Sequence, residues 1–205
     1  MRVLIALLLT CTTAQAAYVS GGNCNHVNFA TALDLDPYFD LAYDPDIEVG
    51  PGANLSDTIP HASATFTSCY DGYDYASFTG AAGQVAVVDI DWAESNGLDS
   101  YVWLRGPDHT VLAENDDAPF DGPGDAYTST FNSFLRQPLP VDGTYYVVVG
   151  EYPGQPFWDA PDTDYTLHVS LAASPSELPA LPAPPALPLV ASVLPWLAWR
   201  RRARQ

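Results

Sequence analysis

A run of short β-strands in residues 73–151 constrains the fold more than any other stretch of the chain. Its clearest member is residues 143–150, Gly-Thr-Tyr-Tyr-Val-Val-Val-Gly, where aromatic and β-branched residues follow a glycine. Such residues favour strands, and a glycine at the entrance indicates a turn. Similar segments precede it at residues 73–79, 84–92, 99–105 and 110–114. This stretch therefore predicts a β-sheet domain.

The flanking sequence adds strands at the same spacing. Three of them are predicted at residues 62–69, 128–135 and 164–171, and a first strand within residues 21–33. Alternation places Tyr165, Leu167, Val169 and Leu171 inward and His168 on the outward face. Residues 34–52 contain three prolines and predict an extended loop. About nine strands without helical periodicity predict an all-β fold, an antiparallel, jelly-roll-like β-sandwich.

Both ends of the chain have the composition of targeting segments. Arg2, an apolar run at residues 3–9 and Ala14-Gln15-Ala16 are typical of a secretory signal peptide. We therefore expect a signal peptide at residues 1–16, a β-sandwich domain at 17–171, a linker at 172–180 and a sorting or anchor segment at 181–205.

Acidic residues dominate the domain. The chain has 7 Lys+Arg and 25 Asp+Glu, and five of the cations are arginines at the two ends. Arg105 and Arg136 are left against 25 acids, which gives a net charge of −23 between the termini. Such a surface repels nucleic acid and attracts cations, and it also fits a simple role in solubility. We therefore expect no nucleic-acid partner.

Two cysteines remain after the signal peptide, which contains Cys11. In an exported protein, Cys24 and Cys69 are most simply one disulfide.

Oxygen-bearing side chains crowd the loop after the strand at 110–114, where calcium is the candidate ligand. Calcium takes six to eight oxygen ligands and tolerates irregular loops. The predicted ligands are Asp99, Asn115, Asp116, Asp117, Asp121 and Asp125. A solvated acidic loop explains the same residues equally well, so both interpretations stay open.

Large aromatic side chains offer a second kind of site. If Val102 and Leu104 face the core, Tyr101 and Trp103 face outward on the same strand. Exposed rings beside acids can bind sugars by stacking, which makes Tyr101, Trp103 and Trp158 candidate ligand-binding residues. The alternative is that these rings cover the sheet or the long loop after it.

Catalytic signatures are absent from the sequence. It contains no G-x-S-x-G, no H-E-x-x-H and no glycine-rich phosphate loop, and its four histidines are scattered. We therefore expect a non-catalytic protein that binds exopolysaccharide or a surface protein. The alternative is a small secreted hydrolase that uses loop carboxylates, as glycosidases do.

The strand motifs, taken in order, resemble the bacterial pre-peptidase C-terminal domain family. The motifs are Asp74-Tyr75-Ala76-Ser77-Phe78-Thr79, Ala82-Gly83-Gln84, Leu112-Ala113-Glu114-Asn115-Asp116-Asp117, residues 143–150 and Tyr165-Thr166-Leu167. The resemblance covers roughly residues 60–171. It implies a jelly-roll-like sandwich in an exported, usually non-catalytic protein, with some members resembling calcium-stabilised collagen- or carbohydrate-binding modules.

The C-terminus resembles a PEP-CTERM-type sorting signal in its Leu-Pro-Ala variant. A proline-rich stretch at residues 181–188 precedes an apolar segment at 189–199 and three arginines at 200–202. The resemblance implies processing by an exosortase-like transpeptidase and membrane contact only through this segment. A permanent C-terminal anchor is the alternative, although the apolar segment is short for a span.

Overall fold

Two five-stranded sheets form the protein, shown here as a computed structural model. The structure describes residues 18–50, 53–91, 97–117, 131–157 and 163–180. Its ten strands are β1 (Tyr18–Asn23), β2 (Leu33–Asp34), β3 (His61–Thr67), β4 (Asp74–Gly80), β5 (Val85–Asp91), β6 (Ser100–Arg105), β7 (Val111–Asn115), β8 (Phe134–Pro138), β9 (Gly143–Glu151) and β10 (Asp164–Ala172). Within the described residues, no helix is long and apolar enough to cross a membrane.

The strand order fits a sandwich with mixed sheets. The first sheet has the order β1-β3-β10-β5-β8, and the second sheet has the order β2-β4-β9-β6-β7. All neighbours are antiparallel except β1 with β3 and β2 with β4, which are parallel edge pairs. The predicted β-sandwich is confirmed. The N-terminal chain adds the parallel edges, first to one sheet and then to the other.

Residues from both sheets share one core. Phe66, Tyr165 and Leu167 from the first sheet and Phe78 and Tyr145 from the second are at most 1 % exposed. The inward alternation predicted for β10 is therefore confirmed. Between the sheets, Phe66 stacks on Tyr165 and Phe78 stacks on Tyr145, which aligns neighbouring strands within each sheet.

Several predicted strand bounds were wrong. The first predicted strand is two strands, β1 and β2, with a 3-10 turn at Phe29–Thr31 between them. The strand predicted at 128–135 is β8, Phe134–Pro138, and residues 128–130 lie outside the described part. Strand ends depend on which partner is adjacent, and sequence periodicity does not carry that information.

The outer face of the first sheet is covered by the chain itself. A second apolar cluster fills this side, formed by Ile47, Val49, Ile59, Val85, Val87, Phe134, Ala172 and Leu178. His168 points outward as predicted, but it is 1 % exposed because residues 44–50 and 53–59 lie over the sheet. An outward histidine on this strand can be structural or solvated, and the burial of His168 favours the structural role.

The segment after β10 also packs on this side. Pro175–Glu177 forms a 3-10 turn, Leu178 is 8 % exposed, and Arg136 donates a hydrogen bond to the Pro179 carbonyl at 2.6 Å. The composition predicts a linker at 172–180, and within that segment Ala172, Leu178 and Pro179 contact the first sheet.

The two remaining cysteines meet as predicted. Cys24 follows β1 and Cys69 follows β3, and the structure joins them in a disulfide. The bridge lies where the chain leaves the first sheet and continues towards β2 of the second. The predicted signal peptide and the predicted sorting segment lie outside the described residues.

Candidate ligand-binding face

Aromatic side chains line the outer face of the second sheet. Register places Trp103 of β6 beside Val148 of β9, and Val148 beside Tyr75 of β4. One step along, Arg105 lies beside Tyr146. We call this surface the aromatic face; its rings are Phe29, Tyr73, Tyr75, Tyr101, Trp103 and Tyr146, all of them partly exposed.

Tyr101 and Trp103 form a pair at one end of the aromatic face. Their ring centroids are 4.5 Å apart at an interplanar angle of 40°, and Tyr73 meets Trp103 edge to face at 5.7 Å. Val102 and Leu104, which alternate with the pair along β6, are fully buried, so the predicted outward direction of the pair is confirmed. The third candidate, Trp158, lies outside the described residues.

A tight turn borders this pair. Gly154 has φ +87°, and a Cβ added there would lie 3.2 Å from Trp103. A larger residue would be strained in this conformation and would press on the indole. The turn keeps Tyr152 49 % exposed next to the pair. The glycine therefore lets the backbone approach the rings closely.

The two ends of the aromatic face carry opposite charges. Glu114 of β7 lies across from Trp103, and burial together with Glu114 and Asp116 raises the pKa of Tyr101. At the other end, the Arg105 guanidinium lies 6.0 Å from the Phe29 ring centroid and donates a hydrogen bond to the His109 carbonyl at 3.1 Å. The face thus has an acidic end and a basic end.

Sequence reasoning missed most of the basic end. Phe29 stacks on His109 at 3.9 Å and meets Tyr75 and Tyr146 edge to face, each at 5.1 Å. Tyr75 and Tyr146 alternate with buried residues on their strands, so the sequence could have predicted that both point outward. The adjacency of β4, β9 and the turn that carries Phe29 is a tertiary fact that periodicity does not reveal.

The predicted calcium residues fall at the edge where β6 begins and β7 ends. Ser133 connects the two strands, because its hydroxyl bonds both the Ser100 carbonyl and the Asp116 carbonyl. Asp99 lines a surface pocket of about 280 Å³ with Gly97, Leu98 and Phe131. Asp121 and Asp125 lie outside the described residues. In the described ranges, no three side chains of His, Cys, Asp or Glu are grouped closely enough to hold a metal.

Residues 115–117, at the end of β7 and just after it, still offer oxygen atoms that could bind a cation. The Asn115 amide nitrogen donates to the Asp117 and Phe134 carbonyls, each at 2.6 Å. Because the amide nitrogen is engaged, the side-chain oxygen of Asn115 is the atom that could coordinate a cation. Burial and the neighbouring Asp116 raise the pKa of Asp117. Two acids held this close favour a bound cation or a proton.

A buried polar network lies beneath the cover of the first sheet. Ser63 Oγ is 2.8 Å from His168 Nδ1, and His168 Nε2 is 3.2 Å from Asp91 Oδ2. The three side chains are only 1–2 % exposed. Burial lowers the pKa of His168, and the carboxylates of Asp89, Asp44 and Asp46 oppose that shift.

This network contains a serine, a histidine and an aspartate, as a catalytic triad does, but a substrate could not reach its buried serine hydroxyl. Ser63 Oγ also lies 3.1 Å from Asp44 Oδ2, and Tyr18 donates to the other oxygen of Asp44 at 3.0 Å. The hydroxyls of Ser63 and Tyr18 thus provide hydrogen bonds to polar groups that are buried under the cover of the sheet. A nucleophile must instead present its oxygen to substrate. The contacts therefore support a structural role for the network.

Comparisons with solved structures give partial similarities. The periplasmic g-type lysozyme inhibitor PliG of Aeromonas hydrophila is 15 % identical, with a TM-score of 0.35 over 76 % of this chain and 99 % of that one. PliG of Salmonella Typhimurium is 16 % identical, with a TM-score of 0.33 over 69 % and 99 %. The pre-peptidase C-terminal domain of a Bacillus anthracis collagenase is 14 % identical, with a TM-score of 0.32 over 53 % and 86 %. At these scores we draw no functional conclusion from them.

Sequence comparison supports the resemblance carried by the strand motifs. No curated protein matches the chain significantly. The matched region begins just before β4 and ends with β9, so it contains the strands that build the aromatic face. Residues 72–151 match the family model of the bacterial pre-peptidase C-terminal domain.

Proposed function

We propose that this protein is an exported, non-catalytic module that binds polysaccharide on its aromatic face. The observation that carries the proposal is the Tyr101–Trp103 pair, two outward rings at 4.5 Å that remain partly exposed. Sugar rings stack on aromatic side chains through their apolar C–H faces, and nearby polar groups bond their hydroxyls. Glu114 and the exposed Tyr152 supply such groups beside the pair.

The contrast with the rest of the surface supports this choice over a surface-protein partner. Tyr43, by contrast, is an exposed ring outside the aromatic face; it is 58 % exposed and directly precedes the residues that cover the first sheet. A row of rings along neighbouring strands suits a repeating, extended ligand. Each stacked ring adds roughly 1 kcal/mol beyond its buried area.

Binding to a panel of soluble neutral polysaccharides tests the proposal. Affinity electrophoresis and quenching of tryptophan fluorescence measure the dissociation constant for the disulfide-bonded protein. Trp103→Ala should weaken binding about tenfold, because the lost stacking is worth roughly 1.4 kcal/mol. The matched control is Tyr43→Ala, an exposed ring that directly precedes the cover of the first sheet. No binding to any member of the panel, or equal losses in both variants, would contradict the proposal.

We further propose that calcium stabilises the edge formed by Asp99, Asn115, Asp116 and Asp117, completed by Asp121 and Asp125. The support is the raised pKa of Asp117 beside Asp116 and the engaged amide nitrogen of Asn115. An ion that binds only the folded state contributes about 2.7 kcal/mol at a hundredfold excess over Kd. For a domain of this size, the melting temperature should rise by roughly 5–10 °C.

Thermal melts in chelator, calcium, magnesium and matched ionic strength test the calcium site. Magnesium should stabilise less, because it prefers a tight octahedron and keeps its waters. The double variant Asp116→Asn, Asp117→Asn should lose most of the calcium response and keep its fold. Equal shifts from both ions, unchanged in the variant, would assign these acids to solvation alone.

We also propose that both ends are processed. The signal peptide at residues 1–16 directs export, and an exosortase-like enzyme removes the segment after the proline-rich stretch at 181–188. The composition of the two ends supports this route. Intact mass of the native protein tests it. A mature mass that still includes Trp199 and the C-terminal arginines would contradict it.

A further inference from the structure

One of the two arginines of the domain, Arg105, lies on the aromatic face and has no acidic partner among the described residues. No carboxylate in the described part of the chain forms an ion pair with Arg105, although acids outnumber arginines strongly here. Its Nε is buried and has no hydrogen-bond partner among the described side chains and backbone. The Nε of Arg105 is buried and one Nη contacts the His109 carbonyl, so the remaining Nη donors are the ones that a ligand can use.

The other arginine shows what an engaged one looks like. Arg136 donates to the Pro179 carbonyl at 2.6 Å, which fastens the segment after β10 to the first sheet. Burial lowers the pKa of Arg136. That contact gives Arg136 a structural role on the covered side of the molecule. Arg105 has one backbone contact, to His109, and otherwise lies among rings.

Position then connects Arg105 to the ring pair. Tyr101, Trp103 and Arg105 are alternate residues of β6, so all three project from the same face of the second sheet. Alternate residues on a strand are about 6.8 Å apart, which makes a row of ring, ring and cation roughly 14 Å long. The charge of Arg105 reaches the neighbouring strand, since it opposes the burial that raises the pKa of Tyr75.

From this row we infer that the preferred ligand is an acidic polysaccharide whose sugars carry carboxylate groups. Two rings stack on successive parts of the glycan, and Arg105 binds a carboxylate at the basic end. Glu114 and Asp116 at the acidic end disfavour a second carboxylate there, which fixes the direction of the chain on the face. This inference rests on the proposed function, because it assigns a ligand class to the same face.

Two polymers with one backbone test the inference. Polygalacturonate and its fully methyl-esterified form differ only in the carboxylate. Titration in chelator at about 0.15 M salt, where the long-range repulsion between the acidic surface and the polyanion is screened, gives Kd for each. The disulfide-bonded protein should bind the acidic polymer about tenfold more tightly, as one charge-assisted contact predicts. Arg105→Gln should abolish that preference, because it weakens binding of the acidic polymer about tenfold and binding of the ester much less. Arg105→Lys should keep part of it, because lysine retains the charge without the planar fork.

Controls separate this inference from the proposed function. Arg136→Gln removes an arginine of the covered side and should keep the full preference. Trp103→Ala should weaken binding of both polymers alike. Equal affinity of the unmodified protein for both polymers, or a preference that survives in Arg105→Gln, overturns the inference and leaves the proposed function standing. Unchanged binding of both polymers by Trp103→Ala overturns the proposed function instead. Binding of neither polymer overturns the inference, and the neutral panel then decides the function.

Discussion

The two outer faces of the sandwich differ in what the chain places over them. Residues 44–50, residues 53–59 and Leu178 cover the first sheet, where Asp44, Ser63 and His168 are at most 2 % exposed. Among the residues that the structure describes, no segment covers Tyr101 and Trp103 of the second sheet in this way, and both rings stay partly exposed. Covered polar groups are hydrogen-bonded to one another, as buried polar groups must be. The uncovered face keeps its rings and its arginine available for a ligand.

The largest expected loss of stability that tests this difference between the faces comes from substituting Asp44. Its carboxylate accepts hydrogen bonds from Tyr18 OH, Ser63 Oγ and the Asp46 backbone N–H at 3.0–3.1 Å. Asp44→Ala leaves three donors without this acceptor, so we expect the free energy of unfolding to fall by about 4 kcal/mol. Urea unfolding measures the change. The control is Asp57→Ala, an exposed acid of the same cover, which should change stability by under about 0.5 kcal/mol.

Asp44→Ala should also separate the two faces in hydrogen exchange. Amides of β3 and β10 should lose protection, because the cover over the first sheet opens locally. Amides of β6 and β9 should change less, since the aromatic face has no part in this network. Equal loss of protection in both sheets would show that the cover does not act as a local unit.

A buried acid between the sheets sharpens the comparison. Asp74 is 2 % exposed and accepts one hydrogen bond, from Tyr165 OH at 2.8 Å. Burial raises the pKa of Asp74 to about 7, and the Tyr165 hydrogen bond opposes the shift. The folded state holds a proton that the unfolded state releases near pH 4. Stability should therefore fall as pH rises from about 4 to 7, by about 3 kcal/mol.

Asp74→Asn tests that sign, because asparagine stays neutral and still accepts from Tyr165. Relative to the unmodified protein, the variant should gain about 3 kcal/mol between pH 4 and pH 8 in urea unfolding. Tyr165→Phe is the control, since loss of the donor should raise the Asp74 pKa further. A difference between Asp74→Asn and the unmodified protein that does not vary with pH would contradict the assignment.

Sequence reasoning found the sandwich and the outward ring pair because both follow from local alternation. Tyr101 and Trp103 alternate with buried Val102 and Leu104, and that pattern is visible in six residues. His168 alternates in the same way, yet its outward position is buried by a loop distant in sequence. Parity predicts the face of a sheet, while exposure depends on what packs over that face.

At the candidate site, too, the sequence could not show which residues pack together, as Arg105 and the acids at the end of β7 illustrate. Nothing in the sequence distinguishes Arg105 from Arg136, and only packing shows that one is bonded to Pro179 and the other lies among rings. The crowding of Asp116 and Asp117 was visible as a run of acids. Its connection to β6 through Ser133 depends on a contact between residues far apart in the chain.

The smallest expected effect on stability comes from the uncovered face. Tyr101→Ala removes a partly exposed ring whose neighbours are Trp103 and the turn at Gly154. We expect it to lower the free energy of unfolding by under about 1 kcal/mol, because its ring is not part of the core. Tyr145→Ala, on the inner side of the same sheet, should cost about 3–5 kcal/mol by opening a cavity.

The same pair of variants should reverse order in glycan binding. Tyr101→Ala removes one of two stacking rings and should weaken binding several-fold while the melting temperature changes by only a few degrees. A milder inner-face variant, Tyr145→Phe, should lower the melting temperature and leave Kd unchanged at temperatures where it is folded. If Tyr101→Ala instead destabilised the protein as much as an inner-face change and left Kd intact, the ring would be part of the cover of the second sheet, and the two outer faces would not differ in the way that the contacts indicate.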